Sequence, residues 1–362
     1  MRVLIIFNHP APYKVKSFNE LSKLVDLTVL FERTKASDRP DSFYDGNKYD
    51  FKAIFLKSGY VGREGTVSSK VKTYIKNHHN DYDLIIMNGY SHLAEIKAIN
   101  YMHRHNIKFG LLINGGLIKK ESSLKKAFKS SIISKANYYI SPSRHADKYL
   151  EYYGADKEFI YPYIYSNYYQ SDIIKEPIKD KNKLRNQYNI PEDKKIFVSA
   201  SQFIERKNNM LLLSLFKDRK DFLVLVGDGP EKEKYISYIR DNKLSNVIVL
   251  PYMKKKELFD LFKASDAYIT LSKEDIFGHT TLEAFCNGLP VISSNNVVSS
   301  IEYIKDGYNG YLVNLNDIQD IQNKMDKIDY SLSSNAIETA KNNTFEKTAE
   351  SLSKVFGEIY EK

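Results

Sequence analysis

Two series of short, continuous apolar runs dominate this chain and leave it few folds to choose from. Residues 3–7, 27–31, 53–56, 84–87, 109–113 and 138–140 form the first series; residues 196–200, 222–226, 247–250, 268–271, 291–293 and 311–313 form the second. A strand with one wet face alternates polar and apolar side chains, whereas an unbroken apolar run is what a strand buried on both faces looks like. Helical patterns lie between many of the runs, as at residues 211–216, 231–242 and 255–264. Strand–helix alternation repeated in this way predicts βαβ units and parallel sheets. The expected fold class is α/β: two Rossmann-like, doubly wound domains facing a cleft, with ligands at the carboxyl ends of the strands.

A length of 362 residues fits two domains at about 150 residues each. The two series are separated by residues 163–195, rich in Tyr, Lys, Asp and Asn, with Pro177 and Pro191 and no strand run. This segment is expected to be a linker plus a helix near residues 181–189. The expected boundaries are an N-terminal domain over 1–165, a C-terminal domain over 166–345, and a last helix over 346–362. The one cysteine, Cys286, rules out an internal disulfide and a multi-cysteine zinc site. The first apolar run is too short for a secretory leader and no stretch approaches 18 apolar residues, so a cytoplasmic protein is expected, at most peripheral on the inner face of the plasma membrane.

The stretch most suggestive of chemistry is residues 271–292, Leu-Ser-Lys-Glu-Asp-Ile-Phe-Gly-His-Thr-Thr-Leu-Glu-Ala-Phe-Cys-Asn-Gly-Leu-Pro-Val-Ile. It reads as strand end, acidic loop, glycine, helix, turn and strand. Gly278 ends the loop, so amides near His279 and Thr280 at the start of the helix can face a diphosphate. Glu283, one turn in, can accept two hydrogen bonds from ribose hydroxyls. Asp275 and Glu274 sit on the loop within reach of a sugar. Taken one at a time, these acids are also what any helix N-terminus attracts.

Asp275, Phe277-Gly278, Glu283-Ala284 and residues 288–292 together closely resemble the signature of the retaining glycosyltransferases of family 4, which have the GT-B architecture. Three further stretches fit that family in the same order. They are the strand ending in Gly227-Asp228-Gly229-Pro230, the loop with Pro251, Tyr252 and Met253, and the segment from Glu302 through Asp306, Gly307 and Gly310. The first acid of the signature, usually Glu, is Asp275 here, with Glu274 beside it. Residues 198–208 depart further: where the family has Gly-Arg followed by Lys-Gly, this chain has Ser201, Gln202, Lys207 and Asn208. An arginine lost at Gln202 removes a bidentate phosphate clamp, leaving Lys207 and the neighbouring Arg206 as the cations.

The resemblance implies a nucleotide-diphosphate sugar as donor, UDP-linked by preference, held by Glu283, Gly278, His279, Thr280, Arg206, Gln202, Gly227, Tyr252 and Met253. Asp275, Glu274 and Lys207 are the implied catalytic set, and the sugar is transferred with retained configuration. Neither a metal nor another cofactor is expected.

In the first half the resemblance thins. His9, Pro10, Asn114, Gly115 and Gly116 follow strand ends and are the acceptor-side candidates; His92 is a further histidine at such a position. Residues 1–165 hold 26 basic and 16 acidic residues, net +10, and residues 166–362 hold 28 and 29, net −1. The segment from Lys119 to Lys135 carries six lysines around Leu124, Phe128 and Ile132 at helical spacing. That pattern fits a helix at an anionic bilayer, and equally a surface helix packing one apolar stripe inward. The acceptor implied is a glycan or a lipid-linked sugar in cell-surface polysaccharide or glycolipid synthesis; nucleic acid is not expected. The rival readings are a nucleotide-sugar epimerase of the same shape and a non-catalytic partner that binds anions or membranes.

Overall fold

The computed structural model describes residues 1–36, 41–56, 60–61, 65–66 and 70–362. The chain divides into two compact units, one of residues 1–168 with 344–362 and one of residues 169–343. The sequence places the divisions at 165/166 and 345/346.

The first unit runs β1 (Arg2–Phe7), α1 (Pro12–Ser22), β2 (Asp26–Phe31), β3 (Lys52–Phe55), a short antiparallel pair β4 (Tyr60–Val61) and β5 (Gly65–Thr66), α2 (Lys70–His78), β6 (Leu84–Asn88) and α3 (Leu93–Arg104). It continues with β7 (Gly110–Leu112), α4 (Ser123–Ile133), β8 (Tyr138–Ser141), α5 (Arg144–Tyr152) and β9 (Ile160–Pro162). Its seven-stranded sheet has the order β3-β2-β1-β6-β7-β8-β9. Every pairing in it is parallel. β1 shows why the runs are apolar: Val3, Leu4, Ile5, Ile6 and Phe7 are all buried, so neither face of the strand is wet.

The second unit runs α6 (Asn182–Gln187), β10 (Ile196–Ala200), α7 (Asn209–Leu215), β11 (Phe222–Val226), α8 (Lys232–Asp241), β12 (Val247–Leu250), α9 (Lys255–Ala264) and β13 (Ala267–Thr270). Then follow α10 (Thr280–Cys286), β14 (Val291–Ser294), α11 (Val298–Tyr303), β15 (Gly310–Val313), α12 (Ile318–Lys327) and α13 (Ser333–Lys341). Its six strands take the order β12-β11-β10-β13-β14-β15, again parallel throughout. The last helix, α14 (Phe345–Tyr360), returns to the first unit and packs along α1. Thr344 caps it, and the Phe345 amide donates to the Tyr168 carbonyl at 2.8 Å.

Three local features depart from the simplest reading of the sequence. β9 carries Tyr161 and Pro162 instead of an aliphatic run, which hid it in the sequence. Pro230 lies in the turn before α8, outside the helix. In α4 only Ile132 and Ile133 are buried, while Leu124 and Phe128 stand exposed, so the stripe does not pack inward along its whole length.

The Gly-Asp-Gly turn after β11 has a packing reason. Gly227, at φ +149°, would place a Cβ 1.9 Å from the Ser201 carbonyl oxygen; Gly229, at φ +152°, would place one 2.5 Å from that of Phe203. The turn lies flat on the segment leaving β10, and the Phe203 amide donates to the Asp228 carbonyl at 2.8 Å. Gly227→Ala should therefore destabilise the second unit by about 3 kcal/mol, because backbone has to move to admit the methyl group. Chemical denaturation of the full chain checks this; a change under about 0.5 kcal/mol contradicts the packing.

In the first unit a like-charge pair is buried: Glu32, just after β2, is 1% exposed and Glu95, in the first turn of α3, is 3% exposed. Burial first, and Glu32 second, push the Glu95 carboxyl up to about 8. The folded state thus keeps a proton that the unfolded chain has released between the ordinary carboxyl range and about pH 8. Stability falls as pH rises through that window. Glu95→Gln should flatten this dependence, read as melting temperatures at pH 5.5 and 8.5. An unchanged slope would refute the assignment.

Candidate functional site

The second sheet changes winding direction between β10 and β13, and in open α/β sheets that switch point is where ligands sit. Lys207 lies beyond the end of β10 and Asp275 beyond the end of β13. Their side chains, 14% and 18% exposed, form an ion pair across the switch point. Lys207 closes a single 3-10 turn, Glu205–Lys207, and Asn208 follows in the left-handed region at φ +57°. The related family has glycine at that place; asparagine is among the residues best able to adopt this conformation. The substitution therefore preserves the turn that aims Lys207.

The Asp275 loop is clamped to the segment after β14. The Asp275 amide donates to the Asn296 carbonyl at 3.0 Å, and the Val298 amide to the Asp275 carbonyl at 3.2 Å. The Ser299 amide donates to the Phe277 carbonyl and its hydroxyl to that of Gly278, both at 2.7 Å. Gly278 has φ +81°, and a Cβ there would stand 2.6 Å from a Val297 methyl and 3.4 Å from the Asp275 carboxyl carbon. Glycine here lets the loop close under Asp275 and start α10, whose first turn carries Glu283, half-buried. Thr280 opens the helix, and the His279 ring packs 4.8 Å from that of Phe277.

Sequence reasoning missed Tyr268, concealed within the apolar run of β13. Its phenol donates to the Ala200 carbonyl at 3.4 Å, and burial pushes its pKa up, with Asp275 and Glu283 adding to the shift. It stays a neutral donor beside two acids.

The other donor-side candidates separate. Tyr252 and Met253 follow β12 at the same edge of the sheet, with Tyr252 exposed. Gln202 is exposed. Arg206 is also exposed, and its guanidinium donates to the Glu274 carbonyl at 3.1 Å, so in this structure it braces the acidic loop. Gly227 is buried under Ser201, which makes its role one of packing. Cys286 is buried at the end of α10, and burial pushes its thiol upward.

In the first unit the switch point falls between β1 and β6. His9 Nδ1 lies 3.0 Å from the Tyr44 hydroxyl, and the buried Pro10 accepts from Asn47 through its carbonyl at 2.8 Å. Asn114 is half-buried just past β7. Gly115 has φ +134°, and Gly116 is packed against the Tyr149 ring, where a Cβ would approach to 2.5 Å. Gly116 is therefore a packing glycine. Sequence reasoning also missed Lys14, whose Nζ donates to Asn114 Oδ1 at 2.7 Å although Lys14 is 5% exposed. The detectable signal is its helical spacing with Phe18 and Leu21, which puts a lysine on the apolar face of α1.

Among the described residues, Glu32, His92 and Glu95 bring ligand-type atoms within 4.8 Å of one another and are the group that could hold a metal ion. They belong to the first unit, whereas Lys207, Asp275 and Glu283 belong to the second.

Residues 180–343 match the family model described as "Glycosyl transferases group 1". The O-antigen biosynthesis glycosyltransferase WclY of Escherichia coli is 24% identical over 278 residues, 75% of this chain and 76% of that protein. Among solved structures, HepE of Anabaena in complex with UDP is similar over 99% of this chain and 100% of that one, with a TM-score of 0.79 at 16% identity. The lipopolysaccharide outer core galactosyltransferase WaaB in its apo form covers the same shares at a TM-score of 0.73 and 16% identity. At such identities the likeness of structures speaks for the fold, and the matched segment contains Lys207, Asp275 and Glu283. Residues 180–343 are thus similar to the group 1 glycosyl transferases, and the whole chain shares the two-unit α/β fold of these solved glycosyltransferase structures.

Proposed function

We propose that the chain transfers a sugar from a nucleotide-diphosphate donor, UDP-linked by preference, to an acceptor hydroxyl with retention of anomeric configuration. The observation that carries this reading is the Lys207–Asp275 ion pair at the switch point of the second sheet, beside the Glu283 helix. Glu283 takes the ribose hydroxyls. The diphosphate draws Lys207 away from Asp275, and the released carboxylate, with Glu274, accepts hydroxyls of the donor sugar. The bond from the anomeric carbon to the diphosphate oxygen breaks as the acceptor oxygen bonds to the same face, and the acceptor proton passes to the departing phosphate. Lys207 and the loop amides near Gly278 neutralise the developing charge in place of a metal ion. The first unit holds the acceptor, a glycan or lipid-linked sugar; relatives named for O-antigen and lipopolysaccharide synthesis support a cell-surface product.

A panel of nucleotide sugars, followed by release of the nucleoside diphosphate, tests the reading. Glu283→Ala should weaken nucleotide binding by about 30-fold, the equivalent of about 2 kcal/mol for hydroxyl bonds to a carboxylate. Lys207→Met should lower the maximal rate more than the affinity. If no donor binds and Glu283→Ala changes nothing, the reading fails.

Among the described residues no helix is long and apolar enough to cross a membrane. For an acceptor in a bilayer, α4 supplies a docking face: Leu124 is 84% and Phe128 56% exposed, with Lys125 and Lys126 on the same helix. Lys129, on that helix too, pairs with Glu121 at 2.7 Å. We infer that this face rests on anionic lipid. Replacing Lys125, Lys126 and Lys129 with Gln should weaken flotation with anionic vesicles about a hundredfold, at about 1 kcal/mol per lysine. Equal flotation with neutral and anionic vesicles would overturn this.

A further inference from the structure

The ammonium of Lys14 is almost fully enclosed, and no carboxylate among the described residues pairs with it. Its partners are neutral. Nζ donates to Asn114 Oδ1 at 2.7 Å and lies 4.1 Å from the centre of the Tyr165 ring and 5.7 Å from that of Phe7. Asn114 is itself held, accepting from the Tyr163 hydroxyl at 3.4 Å and donating to Asn88 Oδ1 at 3.4 Å. These groups come from the carboxyl ends of β1, β6, β7 and β9, around the switch point of the first sheet. It is the position that Lys207 occupies in the second sheet, with one difference: Lys207 has Asp275, and Lys14 has no acid.

An ammonium has three N–H donors. One is used by Asn114, and an aromatic face can take a second side of the charge. Burying the charge without an anion is costly, and a group kept in that state at a ligand-binding edge is stabilised when an anion arrives. We propose that Lys14, with Asn114, is an oxyanion receptor in the first unit, and that it recognises an acidic group on the acceptor sugar, a uronate carboxylate or a phosphate. This deepens the transferase reading, on which it rests for calling the ligand an acceptor; the receptor itself is testable without a donor.

Burial lowers Lys14 to about 7. Titratable groups near it include the phenols of Tyr163 and Tyr165, with Tyr13 hydrogen-bonded to Tyr165; burial first, and Tyr13 and Tyr163 after it, raise Tyr165 well above its ordinary value, so it stays neutral through this range. The receptor is therefore charged at pH 6 and neutral at pH 8.5.

Calorimetric titration of the full chain with glucuronate, glucose 6-phosphate, inorganic phosphate and glucose separates the outcomes. Wild type at pH 6 should bind glucuronate or glucose 6-phosphate at least about tenfold more tightly than glucose, and whichever is preferred names the anion. The preference should disappear at pH 8.5 and in Lys14→Gln, which keeps a donor for Asn114. UDP binding by that variant should remain as in wild type, which shows that it is folded. Failure of UDP to bind wild type would count against the donor reading alone. Equal affinity for glucose and both sugar anions at pH 6 overturns the proposal, as does a preference that survives in Lys14→Gln. Binding of inorganic phosphate alone also overturns it.

Discussion

A parallel sheet covered on both faces leaves its polar chemistry one place to go. Each inner strand is enclosed by helices above and below and by neighbours on either side, so side chains such as Val3 to Phe7 or Phe222 to Val226 are buried. Polar groups collect where the strands end, and the order of the strands decides which ends meet. In the second unit the ends of β10 and β13 are adjacent although their last residues, Ala200 and Thr270, are 70 positions apart in the chain. Lys207 and Asp275 meet there because of that order, and the ion pair follows from it.

The glycines make this geometry possible by close approach. Gly227 and Gly229 let the turn after β11 lie on the backbone leaving β10, and Gly278 lets the acidic loop fold against Val297. None of the three needs to touch a ligand to be indispensable. Asn208 shows the same constraint from the other side: a left-handed position tolerates asparagine, so the loss of a glycine there does not displace Lys207.

The twelve apolar runs all became strands: burial on both faces writes itself into composition in inner strands such as β1 and β11, while the edge strands β3, β12 and β15 are only partly buried. The acids and glycines of residues 274–283 were legible for a related reason: they lie close together in one loop and one helix turn. Tyr268 and Lys14 were not legible. Tyr268 sits within an apolar run, where its hydroxyl looks like part of a core residue. Lys14 is a lysine in a Lys-rich half of the chain, and its burial depends on Tyr165 and Asn114, which are 151 and 100 residues away. Glu32 and Glu95 read as ordinary surface acids until the fold brings them together, 63 residues apart in the chain.

The sequence by itself determined the class of fold, the two series of strands and the segment bearing Lys207, Asp275 and Glu283, because each depends on periodicity or on residues near one another in the chain. The tertiary structure decided the rest. It paired Lys207 with Asp275, turned Arg206 toward a loop carbonyl, buried Gly227 and Gly116 as packing positions, exposed Leu124 and Phe128, and enclosed Lys14 without an acid. Each of these follows from which strand ends and helix faces come together, and strand order is a property of the whole sheet that no local stretch of residues encodes.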